Sequence, residues 1–319
     1  MPDNHITTES DGDLDSSNRP STTVSTNTVA EMLEHGQSLF DNSSLYFGHG
    51  TDNSWDEAVY LLSFVLELAP DVDRTVLERT LTAAQQAAIL ALFQRRIDER
   101  IPAAYLTGRA WFYGLPFTVD ERVIIPRSPI AELIINGFQP WCSAEPNRVL
   151  DLCAGSGCIG IACAYAFEAA EVVVSDISPE AVEVAQSNIA LHKLDYRVSA
   201  VESDLFEQLR GEQFELIVSN PPYVDADDYA SMPDEYYHEP ELALASGDDG
   251  LDFTRRLLRE AADHLTDAGV LVVEVGNSWV ALERDFPTVP FLWLEFSEGD
   301  GGVFLLTREQ LLEHRESFQ

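Results

Sequence analysis

Apolar residues recur along this chain with two different periods, and the change between them divides it. Residues 1–27 carry almost no large apolar side chain and are rich in Ser, Thr, Asp and Asn. Such a segment buries too little apolar surface to offset the entropy of ordering, so it is expected to be a disordered acidic and polar tail. From Thr28 to Ala104 the spacing is helical. Trp55, Val59, Leu62, Phe64, Val65 and Leu68 form one amphipathic segment that stops at Pro70, and Ile89, Leu90, Leu92, Phe93 and Ile97 mark a longer one over 81–100. Between 105 and 128 the period shortens. Two β-type runs on either side of Asp120-Glu121-Arg122 predict a hairpin that links the helical region to the remainder of the chain. Ser128-Pro129 then reads as a helix start, a capping residue with Pro in the first turn.

Beyond Pro146 short apolar runs alternate with helical stretches. Strands are expected at 148–152, 171–176, 196–201, 214–219, 270–275, 291–295 and 303–306, and helices at 159–167, 179–191, 252–265 and 279–285. Apolar strands separated by helices imply an α/β fold, a seven-stranded and mostly parallel sheet covered on both faces. The last two strands are joined by 297–302, which has no room for a helix, so one strand at that edge must run antiparallel. The expected organisation is therefore a tail (1–27), a small helical domain (28–104), a β-hairpin linker (105–128) and an α/β domain (129–319).

Charge narrows the partners. Fifty-five Asp and Glu face nineteen Lys and Arg, a formal net charge of −36 with a pI near 4.2, and Lys193 is the only lysine. Such a surface suits concentrated salt, where at about 1 M charges are screened beyond roughly 3 Å, or a very basic partner. No basic stripe is available to neutralise phosphates, so direct nucleic-acid binding is not expected. No apolar run approaches the roughly eighteen residues of a membrane span, and the start of the chain has no secretory pattern, which points to the cytoplasm. Cys142, Cys153, Cys158 and Cys163 form no C-x-x-C pair and have no nearby His. They read as small apolar packing residues, with no metal site expected.

The candidate chemistry lies at the ends of the predicted strands. Asp151-Leu-Cys153-Ala154-Gly155-Ser156-Gly157 closes the first strand of the sheet and opens a helix, and its glycines let backbone pass close beside a ligand. It lacks the third glycine of the dinucleotide fingerprint, since the next one is Gly160. Asp176 ends the second strand, where a carboxylate can accept both hydroxyls of a ribose. Asp204 follows the third strand, placed to accept the amino group of an adenine while Leu205 packs on the ring. Acids and glycines at successive strand ends, without a phosphate cradle, imply an adenosine ligand bearing a positive charge: S-adenosylmethionine. After the fourth strand comes Asn220-Pro221-Pro222-Tyr223. The Asn carboxamide oxygen and the carbonyl of the first Pro can both accept from one NH₂ group, the prolines stiffen the loop, and Tyr223 offers a flat face for stacking.

These motifs resemble the glutamine N(5)-methyltransferase family of class I methyltransferases, from about Ala104 to the end of the chain. The resemblance rests on Ala104-Tyr-Leu-Thr-Gly108, Val123-Ile-Ile-Pro-Arg127, the 151–157 loop, Asn220-Pro221-Pro222-Tyr223, and His238-Glu-Pro240 with the Leu244-to-Leu251 stretch. Within the family, one branch methylates peptide-release factors and usually follows Pro-Arg with an acid-Thr-Glu sequence. Here Pro126-Arg127 is followed by Ser128-Pro-Ile130, and Glu235-Tyr-Tyr-His-Glu-Pro240 comes later. That pattern resembles the other branch, which methylates a glutamine of large-subunit ribosomal protein 3. The resemblance implies a Rossmann-like fold, a helical region that selects the substrate, and a protein partner met before or during ribosome assembly, with the enzyme acting as a monomer. It implies Asn220, Pro221, Pro222 and Tyr223 as catalytic. Cofactor contacts would come from Asp151, Cys153, Ala154, Gly155, Ser156, Gly157, Asp176, Ile177, Asp204, Leu205 and Asn220. His238 and Glu239 are candidates to guide the substrate loop or to take up a proton. Gly247-Asp-Asp-Gly250 reads as a structural lead-in to the next helix. The competing readings are release-factor methylation, adenine methylation in nucleic acid, and an assembly factor without turnover.

Overall fold

Three capped helices form the first layer of the molecule. The computed structural model describes residues 27–69, 72–142, 144–297 and 301–319, so the predicted tail up to residue 26 and the Pro70 stop lie outside the described residues. Helix α1 (Val29–Asp41) starts from a reciprocal capping box between Thr28 and Glu31, α2 (Ser54–Leu66) from the Asn53 side chain, and α3 (Ala83–Glu99) from a second box between Thr82 and Gln85. Their shared core holds Met32, Leu33, Phe40, Leu61, Leu62 and Phe93, with the Phe40 and Phe93 rings edge-on at 5.2 Å. The buried face differs from the one the spacing suggests. Phe64 is 41% exposed, and Ala58, Leu61 and Leu66 are buried instead, because α2 packs between α1 and α3 and turns a broader face inward. On α3, Arg96 is buried beside Ile89 and Phe93.

The chain passes through α4 (Ala103–Thr107) into the hairpin of β1 (Arg109–Phe112) and β2 (Leu115–Thr118), paired antiparallel with Phe112 opposite Leu115. Its turn is Tyr113-Gly114, both with positive φ, a two-residue loop whose twist matches the strands. The expected turn around Asp120-Glu121-Arg122 is therefore corrected: a local turn exists there, stapled by Arg122 to Asp120, but residues 123–125 run on outside any strand, with Val123 and Ile125 buried.

Helix α5 (Ile130–Ile135) then leads into the sheet, with the Ser128 hydroxyl accepting from the Ile130 amide at its start. In chain order come β3 (Arg148–Leu152), α6 (Cys158–Ala166), β4 (Glu171–Asp176), α7 (Pro179–Leu191), β5 (Val198–Glu202), β6 (Phe214–Ser219), α8 (Ala226–Ala230), α9 (Asp252–Glu260), β7 (Leu265–Glu274), α10 (Trp279–Asp285), β8 (Leu292–Trp293), β9 (Val303–Thr307) and α11 (Arg308–Glu313). The strand order is β5-β4-β3-β6-β7-β9-β8. All neighbours are parallel except β9, which runs antiparallel to both β7 and β8. The one reversed strand thus lies inside the edge, between β7 and the short β8. The helix expected over 252–265 ends at Glu260 and tightens into a 3₁₀ turn over Ala261–His264.

Side chains alternate across the sheet into two apolar layers. Val270 and Val272 of β7 join the layer of Ile161 and Val184, while Leu271 and Val273 join that of Leu257 and Leu311. Cys158 and Cys163 are buried in the first of these layers, as apolar packing requires. Strand order reverses between β3 and β6, which opens a crevice at their C-terminal ends. This is the topology of a class I methyltransferase fold.

Candidate active site

Five parallel sheet strands carry polar side chains at or just beyond their C-terminal ends, on the same edge. Asp151 lies in β3, fully buried, and one carboxylate oxygen (Oδ2) accepts from the Gly160 amide at 2.7 Å. The other (Oδ1) is buried without a partner. Burial above all, and then the nearby Asp176, push this carboxyl up to about 8. The 151–157 loop then folds tightly back: Cys153, Gly155 and Gly157 have positive φ, and the Ala154 amide donates to the Ser175 carbonyl. Asn188 holds the buried Ser156 through its carbonyl at 2.9 Å.

Asp176, the last residue of β4, organises the edge. Its Oδ2 accepts from the Gly155 amide at 2.9 Å and its Oδ1 from the Ser178 amide at 3.0 Å. Its carboxyl is also raised, mainly by burial. Ile177 beside it is 46% exposed, a free apolar face at the crevice. Asp204, beyond β5, pairs with Arg256 at 2.8 Å, and Leu205 is buried next to it with positive φ. The predicted residues of the first three strand ends are therefore brought to one side of the crevice.

Asn220 follows β6 on the other side. Its Nδ2 donates to the Arg127 carbonyl at 3.1 Å, which engages one of its two hydrogens and sets which way the carboxamide faces, leaving the oxygen available to an incoming donor. Tyr223 is wedged in place. Its ring sits where a Cβ on Gly276 would come within 2.6 Å, its carbonyl accepts from the Ser278 hydroxyl at 2.8 Å, and its own hydroxyl donates to Glu274 at 2.8 Å. The loop leaves this point as a one-residue parallel bridge, Val224 with Ala245, which is what the 244–251 stretch does structurally. Asp249 there is held by Arg255.

Glu274 ends β7 and belongs to none of the motifs that the sequence displays. It accepts from Tyr223 on Oε1 and from the Ser128 hydroxyl on Oε2 at 2.6 Å; burial raises its carboxyl while both bonds pull it down. One signal could have found it: an acid closing an apolar strand, as at Asp176. Asn220, Tyr223, Glu274, Arg127, Tyr236 and Tyr46 line a cavity of about 570 Å³. Tyr46 comes from the helical part of the chain, so the cavity is closed by both parts.

Glu239 does not reach that cavity as a proton acceptor. It is buried and accepts from both terminal nitrogens of Arg127, each at 2.6 Å, and from the Ile125 amide at 2.9 Å. Burial raises its carboxyl, but the Arg127 charge and hydrogen bonds outweigh that and hold it at about 2. His238 bonds to the Glu99 carbonyl at 3.0 Å. Neighbouring Glu235 is buried against Arg96 and Arg100, so the segment carrying both motif residues is pinned to the helical part.

The sequence matches the Methyltransferase small domain family over residues 131–235. It is 47% identical over 294 residues to the ribosomal protein uL3 glutamine methyltransferase of Francisella tularensis subsp. tularensis, covering 92% of this chain and 94% of that protein. It is 50% identical over 287 residues to the protein of the same name from Neisseria gonorrhoeae, covering 89% and 96%.

Proposed function

Because the chain belongs to the ribosomal protein uL3 glutamine methyltransferases, we propose that it methylates the side-chain amide nitrogen of a glutamine in ribosomal protein uL3, using S-adenosylmethionine. The edge residues suit that cofactor. Asp151 offers a buried oxygen with no partner, and the raised carboxyls of Asp151 and Asp176 are both relieved by a positive charge placed beside them. The 151–157 loop, with Cys153, Ala154 and Ser156 shaping its tight turn, would hold the methionine end. Asp176 retains lone pairs for ribose hydroxyls, Ile177 gives an apolar face, and Asp204 with Leu205 would receive the adenine. When bound, the cofactor supplies an electrophilic methyl group on a cationic sulfur.

The protein supplies position. A carboxamide nitrogen is a weak nucleophile because its lone pair is delocalised, so its orientation decides the rate. The Asn220 oxygen and the Pro221 carbonyl accept one N–H each, fixing the nitrogen and favouring its pyramidal form as positive charge develops. Pro221 and Pro222 keep the loop from yielding, and the Tyr223 ring, held by Glu274 and Gly276, stacks on the amide. The observation that carries this reading is the Asn220 amide nitrogen tied to the Arg127 carbonyl, which orients the carboxamide so that its oxygen is the end offered to the substrate.

The helical segment 28–104 with the hairpin region 105–128 would select the protein substrate, supported by Tyr46 in the cavity wall. The reading extends to action as a monomer on uL3 before or during ribosome assembly, in the cytoplasm. Among the described residues no helix is long and apolar enough to cross a membrane. Offering labelled cofactor with unmethylated uL3, a release factor and adenine-containing DNA in parallel tests the assignment: label on uL3 alone supports it, and label on either other substrate alone contradicts it.

A further inference from the structure

Asn220 works only if its carboxamide faces the right way round, and nothing within its own loop decides that. The deciding contact is the Arg127 carbonyl, which takes the Nδ2 hydrogen at 3.1 Å. Position 127 is in turn set by its side chain: the guanidinium is gripped by both oxygens of Glu239, and its Nη1 also donates to the Ile125 carbonyl at 3.2 Å. Glu239 takes the Ile125 amide as well, so one buried carboxylate clamps residues 125 and 127 together. The Arg127 guanidinium also lies over the Tyr236 ring, 5.4 Å from its centre. A two-pronged grip between planar groups fixes orientation as well as distance, which a lone charge would not.

Resting on the methyl-transfer reading above, we propose that Glu239 is a positioning residue for the reaction: through Arg127 it sets which end of the Asn220 carboxamide meets the substrate. Loss of the clamp frees residues 125–127, the Asn220 amide then samples both orientations, and the flipped one presents N–H groups to the N–H groups of the glutamine. The turnover step suffers while the cavity stays open to substrate. Glu239 also lies 3.7 Å from the buried His49 of the helical part, so the clamp is seated at the junction of the two parts of the molecule.

The test compares Glu239→Gln, Arg127→Lys, their combination, and Arg100→Lys. Arg100 pairs with Glu235 at the same seam without touching Arg127, and its variant is expected to retain wild-type turnover. Glu239→Gln and Arg127→Lys are each expected to lower kcat by about 10- to 100-fold with KM for the protein within about threefold. The combined variant is expected to lose no more than the singles, because both act through one carbonyl. Independently of activity, the side-chain amide signal of Asn220, assigned by its absence in Asn220→Ala, is expected to shift and broaden in Glu239→Gln. An unchanged Asn220 signal, turnover within about twofold of wild type, or an equal loss in Arg100→Lys overturns the proposal. A shifted Asn220 signal in an enzyme that methylates no form of uL3 would support the positioning and overturn the substrate assignment.

Discussion

The Tyr223 hydroxyl donates to Glu274 at 2.8 Å, joining the end of the Asn-Pro-Pro-Tyr loop to the end of the neighbouring strand. This bond holds the stacking ring and also shields a buried carboxylate. Glu274 is raised by burial and lowered by its two hydroxyl donors, so removing one donor raises it further. Tyr223→Phe keeps the ring and should cost about 1–2 kcal/mol of stability at neutral pH. By linkage, the hydroxyl favours the ionised carboxyl, so its contribution is present where Glu274 is charged and vanishes where acid protonates it. Urea unfolding at neutral and acidic pH should show the gap between wild type and variant closing on acidification. A gap of constant size would show that the bond does not act on the charge.

Asp151 couples the cofactor site to pH. Its folded carboxyl sits at about 8, whereas an unfolded Asp titrates near about 3.9. Between those values the folded chain holds one more proton, so this group lowers stability as pH rises from about 4 to about 8 and has no further effect above that. Cofactor affinity should move the opposite way, because a cation favours the carboxylate. Binding should release a proton and tighten as pH rises towards about 8, and Asp151→Asn should flatten the profile. Calorimetry in two buffers of different ionisation enthalpy measures the proton directly; no difference between buffers would contradict the prediction.

Arg96 is the most committed charge in the helical part. It is 1% exposed and bonds Glu57 at 2.5 Å, Glu235 at 3.2 Å and the Tyr46 carbonyl at 2.8 Å. Arg96→Met would leave the buried Glu57 carboxylate without its cation and Glu235 with Arg100 alone, a loss of about 3–5 kcal/mol. Adding Glu57→Leu should restore part of it, because one of those carboxylates is then gone. Denaturant unfolding of the single and double variants checks this, and a double variant no more stable than the single would place the damage elsewhere.

The net charge of −36 predicts dependence on salt. Self-repulsion acts over about 10 Å at 0.1 M and about 3 Å at 1 M, so stability and activity should both rise with KCl over that range. A melting temperature and turnover undiminished in dilute buffer would remove salt adaptation as the reason for the acidic surface.

Much of the catalytic half was legible because its signals are local. Apolar strands ending in Asp151, Asp176 and Ser219-Asn220 announce both the sheet and the edge on which it works, and the 179–191 helix is announced by its Ser-Pro start. Two kinds of feature were not. The hairpin turn sits at Tyr113-Gly114, where a Tyr adopts positive φ against its usual preference and the acidic cluster at 120–122 looks like the better turn. Arg96 and Glu239 acquire their meaning from partners far along the chain, 139 residues away for Glu235 and 112 for Arg127. Nothing local in the sequence names a partner for Arg96, and Glu239 reads there as a candidate to guide the substrate loop or to take up a proton. Glu274 lies between these cases: its position at a strand end was visible, but its bond to Tyr223 is a product of the fold.

The central claim is that Asn220 presents acceptors to a glutamine amide of uL3. The most direct measurement is mass spectrometry of unmethylated uL3 after incubation with S-adenosylmethionine and either wild type or Asn220→Ala, in molar KCl, with the modified residue located by fragmentation. A single methyl group on a glutamine side chain is expected with wild type, and a rate about 10²- to 10³-fold lower with Asn220→Ala. A methyl group on any other residue type, or equal rates for the two proteins, would contradict it.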